Sequence, residues 1–115
     1  MSEPRRLWVR FRCVDPERRT AYREAVGEAG ATAGQLGAHF WGFEADGGDG
    51  TFVEFLEGAS DAVLTRLDEL VSPALSVAGG ATRDDVVPGV DVLRCTELRD
   101  SMWRWERQSC GRGAT

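Results

Sequence analysis

Two aromatic-rich runs flank a glycine cluster in the middle of this chain, and that pattern limits the fold more than any other feature. His39-Phe40-Trp41-Gly42-Phe43-Glu44-Ala45 and Thr51-Phe52-Val53-Glu54-Phe55-Leu56-Glu57 bracket Gly47-Gly48-Asp49-Gly50. Aromatic and β-branched residues suit a pleated, half-buried surface, and Gly and Asp supply the backbone angles of a tight turn. A β-hairpin follows. A hairpin turn outweighs phosphate cradling by the glycines, because the cluster joins two strands and opens no helix.

The flanking sequence supplies a strand and a helix on each side. Over residues 7–14, Leu7, Val9, Phe11 and Cys13 alternate with Trp8, Arg10 and Arg12, the period of a strand. Asp15-Pro16 predicts a helix start, and Ala21, Tyr22, Ala25, Val26 and Ala29 give that helix a small-residue apolar face. Gly27, Gly30, Gly34 and Gly37 predict that it frays between about 30 and 37. Ser60 is placed to cap a second helix, with Asp61 in its first turn. Val63, Leu64, Leu67, Leu70, Val71 and Ala74 form its stripe, and Pro73 is expected to kink it or end it near 71. A polar loop over 79–89 leads to a last strand over 90–98. The order β-α-β-β-α-β predicts one α+β domain over 6–98, a ferredoxin-like sandwich of strand order 4-1-3-2 with both helices on one face. Residues 99–115 read as a tail.

Helices can cover one face of such a sheet only. Closing the hairpin on 47–50 puts Ala45 opposite Phe52, Phe43 opposite Glu54 and Trp41 opposite Leu56. With Val53 and Phe55 turned to the helices, the open face carries His39, Trp41, Phe43, Phe52, Glu54 and Leu56. Trp8, Arg10 and Arg12 join it from the first strand, and Val92, Arg94 and Thr96 from the last. A soluble monomer rarely exposes so many large aromatics, so the same face of a second subunit is expected to cover them. The tail, with Trp103 and Trp105, is expected to pack on that homodimer.

Composition narrows the partners. The 115 residues carry a net charge of −5, with arginine supplying all 14 positive charges. Without lysine, Schiff-base catalysis and a P-loop lysine are excluded. Overall acidity speaks against nucleic acid, whose binding rests on phosphate neutralisation. No apolar run is long enough for a membrane span, and the N-terminus lacks the pattern of a secretion signal, which points to the cytoplasm. Cys13, Cys95 and Cys110 share no metal-ligand spacing and there is one histidine, so no metal site is expected and the thiols read as buried or in the tail.

The stretch from Ala38 through the glycine turn to Glu57, continuing into Ser60-Asp61-Ala62, resembles the dimeric α+β barrel superfamily and within it the antibiotic-biosynthesis-monooxygenase-like domains. The likeness spans 6–98. It implies two βαββαβ subunits with their sheets pressed together around a barrel cavity, and an activity in which activated aromatic substrates are oxidised without a cofactor. Trp8, Trp41, His39 and Arg10 are the residues that would serve such a site. The superfamily's haem-degrading branch holds iron with a histidine on the second helix; residues 60–71 contain none, so no cofactor is expected.

Two constellations carry the chemical expectations. Arg10, Arg12, Glu54 and Arg94 lie on neighbouring strands, and forked guanidinium groups suit a carboxylate or enolate oxygen with Trp8, Trp41 and Phe52 as apolar walls. The other reading of these charges is a structural ion-pair network. Histidine changes charge near neutral pH, which makes His39 the default general acid or base, with Arg10 as its catalytic companion. Tyr22 reads as core. The functions left open are a small-molecule-binding, monooxygenase-like enzyme, a non-catalytic ligand-sensing module resembling ACT domains, and a purely structural dimerisation module.

Overall fold

The hairpin forms, but its connection is longer than the glycine cluster. In the structure, a computed structural model that describes residues 3–98, Ala45 N donates to Thr51 O at 2.9 Å. The turn therefore spans 46–50, where Gly47, Gly48 and Gly50 take φ of 110°, 71° and 85°. These values are open to glycine and costly for other residues. Asp49 Oδ1 accepts from Thr51 N at 3.1 Å and closes the turn.

The elements are β1 (Arg6–Cys13), a 3-10 turn (Pro16–Arg18), α1 (Arg19–Gln35), β2 (His39–Glu44), β3 (Thr51–Gly58), α2 (Asp61–Gly79), β4 (Thr82–Arg83) and β5 (Val92–Thr96). The sheet runs β2-β3-β1, with β4 and β5 both pairing β1 along its other side, and every pairing is antiparallel. This is the ferredoxin-like α+β order, its last strand preceded by a two-residue bridge to β1. The tail, with Trp103, Trp105 and Cys110, lies outside the described residues.

Helix limits depart from expectation where burial outweighs propensity. Asp15 precedes the 3-10 turn without a side-chain cap, so α1 begins at Arg19. It runs on to Gln35 through Gly27, Gly30 and Gly34, because Ala25, Ala29 and Ala33 pack a buried seam. Ser60 Oγ accepts from Val63 N at 3.2 Å and caps α2. That helix continues past Pro73 to Gly79, since fully buried Leu75 anchors the turns beyond the proline.

The register inverts three strands relative to expectation, β1, β3 and β5, whose Val92, Arg94 and Thr96 pair Arg10, Trp8 and Arg6. Trp8 pairs Leu56, Arg10 pairs Glu54 and Arg12 pairs Phe52. Phe43 pairs Val53 and Trp41 pairs Phe55. Directly paired residues share a face. Phe52, Glu54 and Leu56 are buried on β3, so Trp8, Arg10 and Arg12 lie with them between sheet and helices. Val92 packs against the same core. The open face instead carries Leu7, Val9 and Phe11 from β1, Trp41 and Phe43 from β2, and Val53 and Phe55 from β3. The longer turn shifts the pairing by one residue, and one residue is the difference between the two faces.

Candidate functional site

Burying two arginines and a glutamate requires that they satisfy one another. Glu54 is fully buried and accepts from Arg10 Nε at 2.5 Å, Arg12 Nε at 2.7 Å and Tyr22 Oη at 2.6 Å. Arg10 Nη1 reaches Asp68 on α2, whose carboxylate also takes the Ser72 hydroxyl. Arg12 Nη1 donates to the Gly80 carbonyl beyond the end of α2. Two guanidinium and two carboxylate groups thus tie β1 and β3 to both helices. Arg10 Nη2 is buried and has no partner among the described residues.

The electrostatics follow the geometry. Burial works against the charge on Arg10, but Glu54 and Asp68 outweigh it, and the pKa lies above that of an ordinary arginine. Burial alone would raise Asp68; the Ser72 hydroxyl and Arg10 reverse this and hold the carboxyl below its usual value. Tyr22 is raised, first by burial and then by Glu54, so it remains a phenol.

Beside this network is a cavity of about 210 Å³ lined by Tyr22, Arg23, Val26, Gly42, Glu44 and Phe52. It lies between α1 and the β2–β3 ribbon, on the helix side of the sheet. The Tyr22 and Phe52 rings meet edge to face at 4.9 Å and 64°. Gly42 lets β2 approach α1, because a Cβ there would sit 2.8 Å from Val26 Cγ1. At the mouth, Arg23 Nη2 donates to Glu44 Oε1 at 2.9 Å, and the same guanidinium lies 5.9 Å from the Phe52 ring centre.

The residues expected to form one site are divided by the sheet. Arg10, Arg12 and Glu54 meet as described. Phe52 walls the cavity next to them. Trp8 is on the same side but further along β1, where its indole N–H donates to Asp61 Oδ1 at 3.0 Å and Arg94 lies over its ring at 4.6 Å. Asp61 is held below its usual pKa by Arg6 and then by Trp8. Arg94 does not meet Arg10. His39 and Trp41 project from the opposite face, their rings stacked at 5.1 Å and 10°. His39 Nδ1 is 2.9 Å from Glu57 Oε1, and Arg5 first, then His39, keeps Glu57 below the usual range. His39 and Arg10, the expected catalytic pair, thus point away from each other across the sheet. Alternation places charges outward, and these charges are inward because they cancel.

Periodicity and motifs in the sequence do not mark Arg23, Val26, Gly42 and Glu44 as pocket residues. The signal available was Gly42 inside an aromatic strand, since an interior strand glycine marks a close backbone approach. Tyr22 and Val26, one helical turn apart, would then line the facing side of α1. Among the described residues, no group of three His, Cys, Asp or Glu is placed to hold a metal ion, and no helix is long and apolar enough to cross a membrane. Cys13 is exposed and Cys95 half-buried, neither in the fully buried setting expected of them.

No protein-family model matches the chain, and no curated protein does. Solved structures do. A "putative antibiotic biosynthesis monooxygenase" from Nitrosomonas europaea superposes with a TM-score of 0.66 at 8% identity, covering 85% of this chain and 94% of that one. A protein of the same description from Caulobacter crescentus gives 0.64 at 11% identity, over 84% and 92%. A conserved protein of unknown function from Bacteroides thetaiotaomicron gives 0.61 at 16% identity, over 84% and 99%. The chain has the ferredoxin-like α+β fold of these solved antibiotic-biosynthesis-monooxygenase-like structures.

Proposed function

We propose that this chain acts as a homodimer that binds a small aromatic molecule between its helices and its sheet, as a cofactor-free, monooxygenase-like enzyme. The cavity walled by Tyr22 and Phe52 carries this reading. Its volume is below the usual range of about 300–1,000 Å³ for ligand sites, so it suits a single ring system. Tyr22 and Phe52 supply apolar contact, and the phenol is held in place by Glu54. In such chemistry an electron-rich substrate supplies the electrons to dioxygen, and the protein orients it and excludes water. Dimerisation is supported by the open sheet face, where Trp41 is 45% and Phe43 56% exposed beside Val53 and Phe55.

One observation favours non-catalytic ligand sensing. Glu44, the carboxylate lining the cavity, is paired with Arg23, the neighbouring Glu54 already accepts three hydrogen bonds, and no histidine lines the cavity. Titration with small phenols, followed by ligand-detected NMR and by oxygen uptake, separates the readings. Binding with oxygen consumption supports the enzyme, and binding without it the sensor. Val26→Trp, which fills the cavity, is expected to abolish binding while leaving the melting transition cooperative. Undiminished binding by this variant would remove the cavity from the site.

A further inference from the structure

We infer that the Arg23–Glu44 pair makes this cavity select rings bearing a carboxylate, with the ligand's carboxylate taking Glu44's place on Arg23. The inference rests on the cavity being the ligand site. Among the described residues Arg23 is the one cation lining it, and its guanidinium bonds Glu44 and lies 5.9 Å from the Phe52 ring centre. A molecule seated against Phe52 therefore has the Arg23 fork within reach of a ring substituent. Guanidinium groups present a planar set of donors that match a carboxylate. Among the described residues, Arg23's side chain makes one hydrogen bond, the one to Glu44.

The exchange is easy because the resident pair is weak. The Arg23 side chain is 57% and the Glu44 side chain 36% exposed, and ion pairs in that setting contribute little. Glu44, once released, returns to water. The incoming carboxylate would sit on the cavity side of Arg23, where the buried Phe52 and Tyr22 rings form one wall and the interaction is less screened than on the open surface. Glu44 thus neutralises Arg23 while the cavity is empty and yields to a ligand of like charge. The pair joins α1 to β2, so the exchange also frees the mouth of the cavity.

Benzoate and benzamide are matched in shape and differ in charge, which makes them the probes. Their affinities for the full chain are measured by calorimetry and ligand-detected NMR at low salt. Benzoate should bind about tenfold more tightly than benzamide, the ratio that one charge-assisted hydrogen bond supplies. Glu44→Gln should tighten benzoate several-fold and leave benzamide unchanged. Arg23→Gln should bring the two ligands level while the melting temperature holds, since the side chain is exposed. Raised salt should narrow the preference. Equal binding of both probes to the unmodified chain, or an unchanged ratio in Arg23→Gln, overturns the selection and leaves the cavity as a site. Failure of both probes to bind overturns the site itself.

Discussion

Glu54 shows why charge is a poor guide to which face a strand residue takes. The neighbourhood of Arg10, Arg12 and Glu54 is legible in the sequence, since adjacent strands bring them together at any register close to the true one. Their side of the sheet is not legible, because the rule that charges point to water fails when each finds partners. Glu54→Leu would leave Arg10 and Arg12 buried without their shared acceptor. A loss of about 3–5 kcal/mol in urea denaturation is expected. Asp68 adds a pH dependence of definite sign. Its folded pKa lies below that of an ordinary aspartate, so the unfolded chain takes up the proton first as pH falls. Its contribution is complete above the unfolded pKa and is lost as acid approaches the depressed folded value. Asp68→Asn should be less stable than the unmodified chain near neutrality, and the gap should close below about pH 4 in melts taken across that range.

Among the elements, the hairpin, the cap of α2 and the order of strands are legible, whereas the turn length and the helix ends are not. Glycine content predicts an early end to α1, yet the buried seam of Ala25, Ala29 and Ala33 carries the helix to Gln35. Two glycines should accordingly respond in opposite ways to alanine. A Cβ at Gly79 would stand 2.5 Å from Tyr22 Cδ1, whereas one at Gly27 meets nothing within 4 Å. Gly79→Ala should push the tyrosine ring toward the cavity and cost about 1–3 kcal/mol. Gly27→Ala should raise stability by about 0.5–1 kcal/mol through helix propensity. Thermal melts of the two variants test this directly. Opposite signs are the required result.

For the whole molecule, the apolar character of the open face is legible in the sequence, whereas the identity of several of its residues is not. Trp41 and Phe43 are on it as expected, and the inversion of β1 and β3 replaces arginines and a glutamate with Leu7, Val9, Phe11, Val53 and Phe55. The surface proposed to meet a second copy is thereby less polar than the sequence suggested, which strengthens the case for covering it. Val53→Asp would place a charge at its centre. Sedimentation should show the unmodified chain as a dimer at micromolar concentration and this variant as a monomer. A monomeric unmodified chain would overturn the proposed assembly. Because the cavity is on the other side of the sheet, the variant monomer should still bind whatever the cavity binds.

Val53 and Glu54 are joined by one peptide bond and belong to opposite environments. The proposed self-recognition and the proposed recognition of a guest would therefore be written in alternate letters of the same strand. An engineer could rewrite the odd-numbered positions of β3 to alter assembly while keeping the even-numbered ones, and with them the guest's chamber, intact.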